Sequence, residues 1–162
     1  MKTIVDSIAV SLCVIFFLHC GKNIREMEAG PAHAKHKIII AAFYSDFKET
    51  IVEGLVDRLK DKAMVTVVPL NKLEDIDVSA YHAVAIIDSL RAWKLFNVRT
   101  RSFIEKIKDP EEKKKIILFL SAGNPKKNYN IAGVDSITAA SVRDSNREIV
   151  DALAAKIEAV LP

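Results

Sequence analysis

Cysteine is almost missing from this chain of 162 residues. Cys13 and Cys20 both lie in the N-terminal segment, and the rest of the chain has none. An internal disulfide, a Cys₂His₂ zinc site and a thiol nucleophile are therefore excluded from the body of the chain. A body without cysteine is compatible with export but does not by itself establish it.

Aromatic residues are scarce as well, and neither sign of charge is in large excess. Aromatics make up 7% of the chain, and 24 Lys and Arg stand against 21 Asp and Glu, a net charge of +3. No aromatic platform is interleaved with basic residues, so a nucleic-acid surface is not predicted. The charge is also too small to indicate a membrane surface by itself. The length suits one domain with a sizeable core.

The common catalytic motifs are absent too. The chain contains no Gly-x-Ser-x-Gly, Walker A, Gly-x-Gly-x-x-Gly or His-Glu-x-x-His pattern. His33 and His36 lie three residues apart in a polar segment without acidic or thiol partners, so no metal site is predicted there. His82 opens a predicted strand and is interpreted as structural. Whether the protein is an enzyme stays open.

Residues 1–20 are predicted to be a signal peptide or an N-terminal membrane anchor. Lys2 precedes an uncharged apolar run over residues 8–18, which fits a signal core of ~7–15 residues better than a span of ~20. The run ends at Cys20, in a segment that resembles the lipobox of bacterial lipoproteins. That resemblance implies lipidation of Cys20 and a place in the cell envelope. A secretory signal, an uncleaved anchor and a buried helix of a cytosolic protein are the alternatives.

Residues 21–36 are polar, contain Gly30-Pro31 and lack apolar periodicity, so they are predicted to be a flexible tether.

The body, residues 37–162, alternates strand and helix patterns. Strands are predicted at 38–44, 65–70, 82–88, 115–121 and 135–140. Helices are predicted at 50–62, at 97–108 with Asn97 as its cap, and from 145 onward, where Ser145 and Glu148 form a capping box. This order predicts an α/β fold, with a three-layer, doubly wound, five-stranded parallel sheet whose second and fourth crossover helices are shortened or absent.

The segment 42–50 joins the first predicted strand to its helix and resembles the first loop of flavodoxins. In that family a Ser/Thr-x-Thr-Gly-x-Thr pattern wraps the phosphate of FMN. Tyr44, Ser45 and Thr50 occupy matching places, whereas Phe47 stands at a Thr position and Lys48 at the Gly position. The resemblance implies a flavodoxin-like fold, FMN as cofactor and an electron-transfer role.

Two later segments are also similar to flavodoxin loops. Ser89 matches the second loop and Trp93 lies near its ring-flanking aromatic, while residues 121–125 lie where the third loop is expected. Asp88, at the end of a strand, is either a polar ligand contact or, as we favour, a turn former. The cofactor-binding residues that the resemblance implies are Ser45, Phe47, Lys48, Thr50, Ser89, Trp93, Ser121 and Gly123.

The same loop has a second interpretation. Asp46 as N-cap with Glu49 three residues later predicts a capping box, which satisfies the helix N-terminus internally. Two carboxylates there also oppose a phosphate by ~0.3–1 kcal/mol each, comparable to the attraction of the helix dipole. Two functions therefore remain. One is an exported FMN-binding electron carrier, and the other is a flavin-free binding or scaffold module of the cell envelope with an unknown protein partner.

Overall fold

The computed structural model describes residues 23–90, 97–123 and 128–162. Within them, the strands are β1 (Met27–Ala29), β2 (His36–Ala42), β3 (Ala63–Pro69), β4 (Ala83–Ser89), β5 (Ile116–Ser121), β6 (Asn130–Ile131) and β7 (Val134–Ala139). The helices are α1 (Asp46–Leu59), α2 (Val98–Lys106), α3 (Pro110–Lys114) and α4 (Asn146–Val160). Short 3₁₀ turns cover Leu70–Asp75, Val78–Ala80 and Arg143–Ser145.

The strands form one sheet in the order β1-β3-β2-β4-β5-β7-β6. The five central strands are parallel, and the short outer strands β1 and β6 pair antiparallel with their neighbours. Numbered along the chain, the parallel strands have the order 2-1-3-4-5, which is the order of the flavodoxin-like fold. The predicted fold class is therefore confirmed, with two antiparallel edge strands that were not predicted.

Helices cover both faces of the sheet and create two hydrophobic cores. α1 and α4 pack on one face, where Leu55, Leu59 and Leu153 belong to a single buried cluster. α2 and the Leu70–Asp75 turn cover the other face, where Phe103 joins a second cluster. Strands β4 and β5 are buried almost throughout because they lie between the two layers, which explains their continuous apolar sequence.

The crossovers that were predicted to be reduced are reduced. The connection from β3 to β4 contains the two 3₁₀ turns in place of an α-helix, and the described part of the connection from β5 to β7 contains only β6. One face of β3 is therefore half-exposed, so buried and partly buried residues alternate along it. In the part of the chain that the structure describes, no helix is long and apolar enough to cross a bilayer.

The fold begins earlier than the sequence indicated. Residues predicted as tether include β1, whose Met27 and Ala29 lie opposite Val67 and Val65 of β3, and Ile24 is buried in the core. The tether prediction is therefore wrong for these residues. A strand this short carries no detectable periodicity, and its order comes from pairing with the free edge of β3.

Two predicted helix caps are also wrong in detail. Ser45, and not Asp46, caps α1, since its side chain accepts the Lys48 N–H; this places Lys48 where a capping box needs Glu. Ser145 occupies the cap position of α4, but its hydroxyl donates to the Val142 carbonyl at 2.8 Å and makes no cap bond. The predicted cap of α2 is confirmed, because the Asn97 side chain accepts the Arg99 N–H.

Candidate functional site

The carboxyl ends of the parallel strands meet at one edge of the sheet, which we call the carboxyl edge. There β2 continues into α1 on one face, whereas the chain after β4 reaches α2 on the opposite face. The two strands are neighbours, with Ala42 opposite Ile87. Open α/β sheets bind ligands at such a switch point, because the diverging connections leave a crevice.

Lys48 is the unusual residue at this edge. It lies in the first turn of α1 and only 3% of it is exposed. Its Nζ donates to Ser45 Oγ at 3.4 Å and lies 5.2 Å from the centre of the Phe43 ring. The Lys48 backbone N–H also donates to Ser45 Oγ, at 3.3 Å. The Ser45 hydroxyl is thus engaged twice by one residue.

Burial lowers the pKa of Lys48 below its ordinary value, and the carboxylate of Asp88 opposes this shift. Because burial is the larger effect, the unfolded chain holds this proton more tightly than the folded chain. Stability therefore increases with pH as this lysine loses its proton.

We expect the free energy of unfolding of the wild type, relative to Lys48→Met, to increase between neutral pH and 10.5, the ordinary pKa of lysine. Methionine has a similar shape but no titrating group, so the other lysines and tyrosines cancel in the difference. Urea unfolding of both proteins at several pH values measures it. A difference that is flat, or that falls with pH, would contradict the assignment.

Asp88 is buried at the end of β4 and fixes the local structure. Its Oδ1 accepts the Ser89 N–H at 2.8 Å, and its Oδ2 accepts the hydroxyl of buried Thr100 at 2.7 Å. Asp88 thereby joins the sheet to α2. Asp88 lies inside β4, and its side chain bonds to the next residue and to Thr100, so these contacts do not show the turn that the sequence favoured. The contact with Thr100, twelve residues away, was not foreseen.

The predicted residues of the second and third loops are only partly together. Ser89 and Ser121 lie side by side on β4 and β5, and their hydroxyl oxygens are 2.9 Å apart. Gly123 is exposed just beyond β5. Trp93 lies outside the described residues, so its predicted stacking role stays a prediction.

The other predicted residues of the first loop do not point to a common position. The Thr50 hydroxyl is exposed and donates to the Asp46 carbonyl of its own helix at 3.0 Å. The Phe47 ring packs toward the core, with its centre 6.5 Å from that of Phe119. The Tyr44 hydroxyl donates to the Asp46 carboxylate at 2.8 Å.

These contacts test whether the loop fits the phosphate of FMN. At the start of α1, the Lys48 N–H is directed to Ser45 Oγ, and the Lys48 side chain stands where the flavodoxin pattern has glycine. A phosphate cradle needs such groups directed outward, with glycine allowing close approach. As the described residues stand, they do not fit the flavin phosphate.

A cavity of about 510 Å³ opens beside this loop at the carboxyl edge. Its walls come from the segment after β2, the Leu70–Asp75 turn and the start of α2, and they include Phe43, Tyr44, Asn71, Asn97 and the pair Glu74 and Arg99, whose charged atoms are 3.9 Å apart. Neither Lys48 nor Thr50 is among the described lining residues. The sequence had singled out Asn97 as a helix cap and Tyr44 as a residue of the first loop, and it had not indicated the other lining residues.

His36 and His82 lie at the opposite end of the sheet. The rings of His36 and His82 meet edge to face at 5.5 Å, and His82 Nδ1 accepts the Lys37 N–H at 3.0 Å. His82 therefore has the structural role that its strand position indicated. Among the described residues, no group of three His, Cys, Asp or Glu is placed to hold a metal ion.

Comparison with known proteins adds little. No protein-family model and no curated protein matches the chain. A solved flavodoxin of Streptococcus pneumoniae TIGR4 is similar at 14% identity and a TM-score of 0.47, over 76% of this chain and 97% of the flavodoxin. At this level of similarity, the fold assignment rests on the strand order of the chain itself.

Proposed function

We propose that this chain is an exported, membrane-attached, flavodoxin-like domain that works without a flavin, as a binding module of the cell envelope. The observation that carries the proposal is the position of Lys48. Its side chain is buried in the helix turn where flavodoxins have glycine, and its backbone N–H and its ammonium both donate hydrogen bonds to Ser45 Oγ. Phosphate binding would require these contacts to break.

The charges around the loop support the same conclusion. Asp46 and Glu49 both lie in the first turn of α1, where they complement the helix dipole. Lys48 contributes a cation, but burial disfavours that cation and its ammonium is directed to Ser45 and Phe43. A dianionic phosphate would therefore meet two carboxylates at the surface of the helix and no free cradle.

The cavity supports a binding role in place of flavin chemistry. It lies outside the carboxyl ends of β2 and β3 and beside the start of α2, at the edge where this class of sheet binds ligands. Its lining combines aromatic rings with amides and both signs of charge, so it suits a small polar ligand or a polar segment of a partner. The apolar run of residues 8–18 and the lipobox-like segment ending at Cys20 support membrane attachment.

Titration of the full chain with FMN tests the flavin-free role. We expect no saturable change in flavin fluorescence, or in that of Trp93, the single tryptophan of the chain, up to high micromolar FMN. The matched variant is Lys48→Gly, which restores the flavodoxin residue and releases Ser45. Measurable FMN binding by this variant alone would identify Lys48 as the residue that excludes the phosphate. Micromolar or tighter binding by the wild type would overturn the proposal in favour of electron transfer.

A further inference from the structure

The path of β1 determines where the N-terminal segment leaves the domain. β1 runs antiparallel to β3, with Met27 opposite Val67 and Ala29 opposite Val65, so its N-terminal end points to the carboxyl edge. Ile24 is buried next to the sheet, and Asn23 lines the 510 Å³ cavity. The chain therefore joins residues 1–22 at the rim of that cavity.

The connection to the apolar segment is short. Cys20 lies three residues before Asn23, and the apolar run ends five residues before it. A fully extended chain spans at most ~3.6 Å per residue, so these separations allow roughly 11 Å and 18 Å. Asn23 therefore stays within roughly 11 Å of the membrane attachment point if Cys20 is lipidated, and within roughly 18 Å of it if the apolar run is an anchor.

Exposed apolar side chains are concentrated at the same edge. The described residues include three large hydrophobic side chains that are exposed, Phe43 at 43%, Val98 at 80% and Val142 at 51%. They follow β2, begin α2 and follow β7, so each belongs to a connection at the carboxyl edge. Single exposed apolar side chains are common on protein surfaces, so these three do not by themselves mark a contact surface, but they place apolar groups where the edge would meet lipid headgroups.

The charges of the carboxyl edge do not explain why this edge would face a bilayer. Lys72 and Arg99 share it with Asp46 and Glu74, so the signs are mixed. A mixed surface gives no strong attraction to anionic lipid. The short connection and the apolar side chains are therefore the features that would bring the edge to a bilayer.

We propose that the carboxyl edge of the sheet, with its cavity, faces the lipid headgroups of the membrane to which the chain is attached. This inference rests on the proposed membrane attachment. It means that a ligand of the cavity approaches along the bilayer surface, and that the amino edge of the sheet faces away from the membrane.

Two native lysines form a matched pair for testing this orientation. Lys72 lies in the turn after β3 at the carboxyl edge, and Lys62 lies just before β3 at the amino edge. Their side chains are 49% and 59% exposed. Each Nζ makes one ion pair, Lys72 with Glu26 at 2.8 Å and Lys62 with Glu158 at 2.6 Å. Their intrinsic reactivities should therefore be similar.

The experiment uses the full chain in phosphatidylcholine and phosphatidylglycerol vesicles, with flotation to separate the attached protein. A membrane-impermeant amine reagent is added, and the modification of each lysine is measured by mass spectrometry. We expect the ratio of Lys72 to Lys62 modification to be several-fold lower on vesicles than after detergent solubilisation. A flexible Gly/Ser insertion between Lys22 and Asn23, combined with Val98→Asp, should restore the ratio while attachment persists.

The outcomes separate the two proposals. A chain that does not float with vesicles overturns membrane attachment, and this inference with it. A chain that floats but shows the same ratio on vesicles and in detergent keeps the attachment and overturns the orientation. Selective protection of Lys62 would also overturn the orientation, since the amino edge would then face the bilayer.

Discussion

Replacing Asp88 with alanine is expected to lower the free energy of unfolding by about 3–5 kcal/mol, because two donors lose their acceptor and a nearby buried cation loses its carboxylate. The substitution deletes the acceptor of the Ser89 N–H and of the Thr100 hydroxyl. It also removes the carboxylate whose attraction offsets the burial of the Lys48 ammonium. A buried donor without a partner costs ~1–3 kcal/mol, so the hydrogen bonds alone account for part of this loss. Urea unfolding at neutral pH measures it.

Two conservative variants divide the effect between charge and hydrogen bonding. Asp88→Asn retains an acceptor oxygen but loses the charge, so we expect it to cost less than Asp88→Ala. Thr100→Val removes the hydroxyl while keeping its shape, so its cost reports the bond to Oδ2 alone.

A double-mutant cycle isolates the contribution of Lys48. Asp88→Ala should cost less in a Lys48→Met background, because no buried cation is then left without its carboxylate. An equal cost in both backgrounds would mean that the two charges do not interact, and the electrostatic account of this edge would have to be abandoned.

The parallel sheet was predictable because its signal is local and strong. Strands such as β4 and β5 are buried on both faces, so their sequences are continuous apolar runs bounded by polar residues. Asn97 was recognisable as a helix cap because its side-chain chemistry suits that position whatever the tertiary context.

The edges of the fold were not predictable in the same way. β1 has three residues, and nothing in its sequence distinguishes it from a polar loop; it is ordered by the free backbone groups of β3. The choice of cap for α1 lay between Ser45 and Asp46, both good capping residues. It was decided by the extended backbone of Ser45, with φ −161° and ψ 155°.

The candidate site shows most clearly where prediction from one sequence ends. A lysine between Asp46 and Glu49 is typical of a solvated helix turn, and the flavodoxin resemblance suggested a cation for phosphate. Its ammonium lies near the Phe43 ring and is attracted by the carboxylate of Asp88, forty residues further along the chain. One sequence identifies each of these residues but does not show that they meet.

Replacing Gly30 with alanine is expected to release β1. A residue held in a rare backbone conformation costs ~1–3 kcal/mol, and we expect the free energy of unfolding to fall by about 2 kcal/mol or more in addition to that cost. Gly30 has φ +112°, and a Cβ there would lie 2.1 Å from the Ala63 carbonyl oxygen and 2.9 Å from that of Lys60. Both obstacles are backbone atoms, so the turn after β1 must move. Gly133→Ala is the matched control, since Gly133 has φ +93° but no atom within 4 Å of the added Cβ.

Release of β1 also has a consequence for orientation on the membrane. With β1 detached, the connection from the apolar segment to the fold lengthens from a few residues to the whole stretch before β2, and the carboxyl edge is no longer held at the bilayer. Release of β1 also separates Lys72 from Glu26, so each variant is compared with its own detergent sample. We therefore expect Gly30→Ala, in vesicles, to raise the ratio of Lys72 to Lys62 modification toward the value of the same variant in detergent, whereas Gly133→Ala leaves the ratio as low as in the wild type. Hydrogen exchange at β1 verifies the release. If β1 exchanges freely while Lys72 stays protected, the exposed loops, and not the short connection, hold the edge to the lipid.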